Sequence, residues 1–302
     1  MKRLIVFFLF IALLFSSGCA GLKNLGGKEG LKEEASSAAQ GAAGLARRTD
    51  TLRVHFLDVG QGDSILVQFP NGRNMLVDAG KNDSASTVIS YLKKNRVKKI
   101  DYLVGTHPHE DHIGSLDAVI KSFEIGEIFM PKAVTGTESF RDVLAAVKNK
   151  GLQIKTAKAG VSILEDGNLF AKIIAPCGPE YEGLNNYSAV IKVEYGDVAF
   201  LLAGDAEELS EKEILAGGAD VKAQVLKVGH HGSHSSTSTE FLKAVAPKYA
   251  VISAGAGNDY HHPHQVTLDK LSKAGVTVLR TDEKGTIVFG TDGKDLAFAT
   301  TK

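Results

Sequence analysis

From Thr51 onward the chain alternates short apolar runs with turns. LRVHFLDV, SILVQF and NMLVDAG are set apart by Gly-Gln-Gly-Asp and Pro-Asn-Gly, a spacing that predicts strands. Helical periodicity follows over 86–95, and again over 115–123, 139–148, the stretch after Asp205, 239–245 and 266–274. Between these lie further strand patterns: IDYLVGT, EIFM, LQIKTA, VSILE, NLFAKIIA, AVIKVEY, VAFLLAG, QVLKVG and YAVISAG, with TVLRT, TIVFG and LAFAT at the end. VAFLLAG and YAVISAG are apolar at consecutive positions, as a strand is when its sheet is covered on both faces. Strand groups recur in both halves with helices between them. The pattern predicts an α/β fold in which two sheets face each other and helices lie outside.

The N-terminus follows a different rule. In MKRLIVFFLFIALLFSSGC a basic start precedes an apolar run from Leu4 to Phe15, too short to span a bilayer comfortably. Residues 1–19 resemble a bacterial lipoprotein signal with Cys19 as the lipidated residue, although Ser16 stands where leucine is usual. An ordinary secretory signal or an uncleaved anchor is the alternative. Each of the three places the rest of the chain outside the cytoplasm. Residues 20–48 are rich in Ala, Gly, Lys and Ser and lack aromatic or β-branched side chains, so 20–50 reads as a flexible tether to a folded domain over 51–302. Cys177 is the one other cysteine; with Cys19 lipidated it has no disulfide partner, and it is expected to pack where a strand ends. Basic and acidic residues balance at 35 each, and losing Lys2 and Arg3 with the signal would tip the balance to acidic. No bulk basic character advertises a nucleic-acid binder.

Candidate chemistry concentrates in THPHEDHIG, residues 106–114. In extended chain His107 and His109 point the same way and can converge on one metal ion. Asp111 and His112, just before a helix, turn toward a second. Imidazole with carboxylate and no thiolate suits zinc, one ion or two, with manganese or iron also compatible. Asp205 ends the apolar run VAFLLAGD, where a carboxylate is costly unless it meets a cation, so it is the expected bridge between metals. QVLKVGHHGSHSS ends a strand in His230 and His231; one of the two should complete the second metal, and spacing does not decide which. Ser233, His234 and Ser236 would lie near the mouth. Asp58 and Asp78 could orient the histidine loop, Gln61 and Asp63 could line the floor, and Asp282 could organise a turn.

FLDVGQGDS (56–64), LVDAG (76–80), THPHEDH (106–112), NNYSAV (185–190), FLLAGD (200–205), VGHHGSHSS (228–236), YHHPH (260–264) and RTDEKGTI (280–287) run in order across nearly all of 51–302. Together they resemble the metallo-β-lactamase-fold superfamily, and within it the extracytoplasmic hydrolase-like domain of the ComEC competence proteins and its stand-alone relatives. The resemblance implies a four-layer αββα sandwich with the site at one edge between the sheets. It also implies metal-dependent hydrolysis, with cleavage of DNA phosphodiesters proposed for this branch. Many superfamily members place a third histidine for the first metal between the cluster and the bridging aspartate; none lies between His112 and His230 here. Asn185, Asn186 or Ser188, or else water or a substrate oxygen, would take that place. The channel's membrane-spanning helices have no counterpart, so the chain is not expected to form a pore by itself.

The expected protein is a lipid-anchored extracytoplasmic metallohydrolase acting on nucleic acid or another phosphodiester, attached to the membrane through Cys19 and needing no obligate protein partner. Asp111 and Asp205 would hold the metals and the nucleophile, and His262 or His264 would assist the leaving group. Hydrolysis of a lactone, thioester or envelope phosphoester is the second enzyme reading. A non-catalytic DNA-handling module with a weakened metal site is the reading from another class.

Overall fold

Every side chain of the strand Val198–Leu202 is buried, and its two faces go to different cores. Val198, Phe200 and Leu202 pack between the sheets, while Ala199 and Leu201 pack beneath outer helices. That two-sided cover explains the unbroken apolar run. Each such fully buried large side chain contributes about 1.5–3 kcal/mol relative to an exposed one.

The computed structural model describes residues 50–302. The expectations placed on Cys19, the signal and the tether up to residue 49 lie outside the described residues. The chain first lays down β1 (Leu52–Phe56), β2 (Ile65–Gln68), β3 (Asn74–Val77), β4 (Lys99–Val104), β5 (Glu124–Met130) and β6 (Ile154–Thr156). It then moves to β7 (Ser162–Asp166), β8 (Leu169–Ala175), β9 (Val190–Tyr195), β10 (Val198–Leu202), β11 (Val225–Lys227), β12 (Tyr249–Ile252) and β13 (Thr277–Arg280). Finally β14 (Ile287–Thr291) and β15 (Leu296–Thr300) return to the first sheet, where β14 pairs antiparallel with β1. The first sheet has eight strands in the order β15-β14-β1-β2-β3-β4-β5-β6, and the second has seven in the order β13-β12-β11-β10-β9-β8-β7.

One core fills the space between the sheets. A second lies between the first sheet and the helices Ala85–Lys94, Leu116–Ser122 and Glu138–Asn149. A third lies between the second sheet and the helices Glu208–Ala216, Thr239–Val245 and Gln265–Lys273. The architecture is therefore the αββα sandwich. These helices are the crossovers between parallel strands, β3 to β6 in one sheet and β10 to β13 in the other. Parallel strands deliver their C-terminal ends to one rim of a sheet, and the loops that leave those ends are where open α/β sheets bind ligands. No described helix is long and apolar enough to cross a membrane.

Candidate metal centre

The histidine loop leaves β4 and is tied down from beneath. Asp78, just beyond β3, accepts hydrogen bonds from the Thr106 amide at 2.8 Å and the Thr106 hydroxyl at 2.7 Å. Its Oδ2 also accepts from His112 Nδ1 at 2.8 Å. The Gly-Gln-Gly-Asp turn presses on the same loop from the side: the Asp63 amide donates to the Asp111 carbonyl at 3.1 Å. A Cβ on Gly62 would lie 2.2 Å from that carbonyl oxygen, so this close approach requires glycine. Asp111 and His112 sit inside a four-residue helix, Glu110–Ile113, rather than ahead of one. That turn of helix is what separates them from His107 and His109.

Four imidazoles surround the carboxylate of Asp205, which is 2% exposed. Oδ1 lies 3.2 Å from His112 Nε2 and 3.5 Å from His231 Nε2. Oδ2 lies 3.8 Å from His107 Nε2 and 3.8 Å from His230 Nε2. Asp111 Oδ2 closes the first side at 3.2 Å from His231 Nε2. On the second side His107 Nε2 lies 2.9 Å from His109 Nδ1. Two donor groups result, Asp111–His112–Asp205–His231 and His107–His109–Asp205, each with its ligand atoms within 4.8 Å of one another. The consecutive pair His230 and His231 is thereby divided between the two oxygens of one carboxylate. His231 takes its place with Asp111 and His112, the choice that sequence spacing left open.

The donor chemistry fits divalent cations. Asp205 Oδ1 is a buried carboxylate oxygen without a hydrogen-bond partner, facing imidazole nitrogens. The nitrogens on the far side of those rings are already held. His231 Nδ1 donates to the Ser253 carbonyl at 2.9 Å, and His112 Nδ1 is held by Asp78. His107 Nδ1 lies 3.1 Å from the Thr106 hydroxyl and 3.3 Å from that of Ser188. Such contacts fix which nitrogen is free for a metal and raise its basicity. Burial opposes charge on His112 and His231, but Asp205 and Asp111 outweigh it and hold both well above the usual histidine range. Burial leaves His107 well below that range. Asp205 is held well below the carboxylate range by His112 and His231 against its own burial.

The NNYSAV segment does something other than the expected ligation. The Ser188 hydroxyl accepts from the Asp205 amide at 3.1 Å and meets His107 from behind, so it positions two donors instead of acting as one. Asn186 is spent on Glu207 and on the Ser210 amide. Asn185 donates to Glu207 at 3.3 Å and lies 3.4 Å from His230 Nδ1. His262 stands beside His230 and His231, with ring centroids at 5.4 and 6.2 Å. Burial, with His231 and His230, lowers its pKa to about 4. His264 turns its Nδ1 to the His234 amide at 3.0 Å. Asp58 pairs with Lys302 at 2.8 Å and does not touch the histidine loop. Asp282, in a short helix Thr281–Lys284, pairs at 2.6 Å with Arg280 just ahead of it. Cys177 follows β8 but is exposed, not packed. The residue that sequence reasoning missed is Lys227, wholly buried at the end of β11 and 2.9 Å from Asp63 Oδ2.

The centre opens into a cleft of about 300 Å³ whose walls include Gln61, Lys81, Tyr260 and His262. Tyr260 is 60% exposed and lies nearly parallel to the His262 ring, with centroids 5.7 Å apart.

The sequence model described as the Metallo-beta-lactamase superfamily matches residues 57–256. ComE operon protein 3 of Bacillus subtilis is 36% identical over 253 residues, covering 78% of this chain and 32% of that protein. Competence protein ComA of Neisseria gonorrhoeae is 33% identical over 235 residues, covering 77% of this chain and 31% of that protein. The chain thus spans about a third of the length of these curated relatives. Among solved structures, CmlA, a diiron beta-hydroxylase from Streptomyces venezuelae, matches with a TM-score of 0.51 at 16% identity, over 76% of this chain and 52% of that one. That likeness is one of fold.

Proposed function

Because the chain belongs to the metallo-beta-lactamase superfamily, in the branch of the ComEC-like competence proteins, we propose that it is an extracytoplasmic metal-dependent phosphodiesterase that cleaves DNA. The observation that carries this reading is the carboxylate of Asp205, with imidazoles at both oxygens, on the floor of an open cleft. Two cation places on one bridging carboxylate suit in-line displacement at phosphorus, where charge develops on both the entering and the leaving oxygen. Zinc is the ion that the donor set favours, with manganese the alternative.

The cations, when bound, supply Lewis acidity and neutralise developing charge. The chain's own residues do the rest. Asp205 and Asp111 fix the donors and present carboxylate oxygens that accept a hydrogen bond from the attacking water. Asp78 and Thr106 hold the histidine loop still beneath them. Lys81 on the cleft wall draws a phosphate in, and exposed Tyr260 offers a ring face to a base beside the scissile bond. His262, neutral at physiological pH, offers a hydrogen bond at the leaving oxygen.

The full chain, supplied with zinc or manganese, is expected to cleave single-stranded DNA and a bis-aryl phosphodiester and to leave lactones intact. Hydrolysis of the lactone alone would replace this reading with the carbonyl-directed one. Retention of DNA without cleavage would replace it with the binding-module reading.

We also propose that a lipid on Cys19 anchors the protein, on the strength of the apolar run followed by Ser-Ser-Gly-Cys. Cells given a fatty-acid analogue should label the wild type and not Cys19→Ser. Equal labelling of both would remove the anchor.

A further inference from the structure

We infer that His230 is the missing donor of the His107–His109 cation place, supplied by the loop after β11 instead of by the NNYSAV segment. The inference rests on the two-cation reading above but not on any substrate.

Three observations carry it. The first is direction. His230 Nε2 lies 3.8 Å from Asp205 Oδ2, the same distance from the same oxygen as His107 Nε2. His231, the next residue, faces Oδ1. The second is what stands behind the ring. His230 Nδ1 lies 3.2 Å from the Ser235 hydroxyl and 3.4 Å from Glu207 Oε1. Ser235 itself donates to that Glu207 oxygen at 3.0 Å. This carboxylate behind an imidazole behind a cation place repeats Asp78 behind His112, and it leaves Nε2 as the free nitrogen. The third is backbone strain. His230 and His231 both have positive φ, 50° and 54°. Two consecutive non-glycine residues in the left-handed region are strained, because each Cβ crowds the backbone there. In this loop that conformation places both rings against one carboxylate, one at each oxygen.

The alternatives from the segment between His112 and Asp205 are spent elsewhere. Ser188 supports His107 and the Asp205 amide, Asn186 binds Glu207 and the Ser210 amide, and Asn185 helps hold Glu207 behind His230. The NNYSAV segment thus braces a histidine from another loop. His230 is 24% exposed and stands just outside the tight His107–His109–Asp205 group, so binding draws its ring inward from the cleft wall.

Calorimetric titration of the metal-free full chain with cobalt(II) tests the assignment, with the visible absorption recorded alongside. The wild type should show two binding events. In His230→Asn, chosen because asparagine tolerates positive φ, the tighter event should persist and the weaker should lose at least about 100-fold in affinity. Glu207→Gln should weaken the same event by about 10-fold. His230→Cys, which restores a donor, should recover the event and add a thiolate-to-cobalt charge-transfer band that a merely structural role could not produce. Two wild-type affinities in His230→Asn, or a titrated His230→Cys without that band, would overturn the assignment alone. A wild type with a single event would overturn the two-cation reading together with it.

Discussion

Asp205→Asn loses turnover on the order of 10³-fold, the scale reached when a principal electrostatic group is removed from a catalytic site. Asparagine keeps the shape and one carbonyl oxygen but removes the negative charge that four imidazoles face. Neither cation place then retains its anionic bridge, and His112 and His231 lose the partner that most favours their positive charge. The fold should survive, because asparagine keeps the side chain's shape and Asp205 belongs to none of the three apolar cores. Steady-state kinetics, metal content and circular dichroism on the purified variant check the three parts separately. Wild-type turnover in Asp205→Asn would show that the reaction centre lies elsewhere.

Lys227→Met destabilises the protein by about 3–5 kcal/mol, the cost of leaving one member of a buried ion pair uncompensated. Lys227 is 0% exposed and Asp63 is 1% exposed; they meet at 2.9 Å across the interior. Asp63 also faces His231 Nδ1 at 3.5 Å, so the pair sits directly behind the metal centre. Burial opposes the Asp63 charge, yet Lys227 and His231 pull its pKa down to about 2. Without the ammonium that balance reverses. In a domain of this size the loss lowers the melting temperature by about 2–4 °C for each kcal/mol. The double variant Lys227→Met, Asp63→Leu should recover most of the stability, since an apolar pair of similar volume replaces a buried ion pair at little cost. Denaturant titration of the single and double variants measures both. A single variant within about 1 kcal/mol of wild type would mean that water reaches Asp63.

How far the sequence carried depended on the range of the interaction. The crossover helices, 239–245 among them, were legible because their apolar spacing is local. The two-sheet arrangement followed from VAFLLAG, apolar at every step because both faces are covered. The histidine loop and Asp205 were legible because their chemistry is costly without a cation. Other residues were not, and the reasons are physical. Lys227 looks like any polar residue closing a strand; only Asp63, brought from the opposite sheet, explains its burial. The different orientations of His230 and His231 arise from two left-handed backbone conformations that no spacing rule encodes. Ser188 was one of three residues of NNYSAV that could have been a ligand, but its hydroxyl lies at the back of His107. Asp58 and Asp78 both end strands of the first sheet, and only the loop geometry separates the one that holds His112 from the one that meets Lys302.

The donors around Asp205 are recruited from both halves of the sandwich. His107, His109, Asp111 and His112 hang from the first sheet, and Asp205, His230 and His231 from the second. A cation held by both sets would work as a clasp across the seam. Its binding free energy then counts toward the cohesion of the two layers, growing with the logarithm of free metal above the dissociation constant. Catalytic competence and mechanical integrity at this rim become a single variable. Scarcity of metal would therefore loosen the same rim that carries the proposed active site.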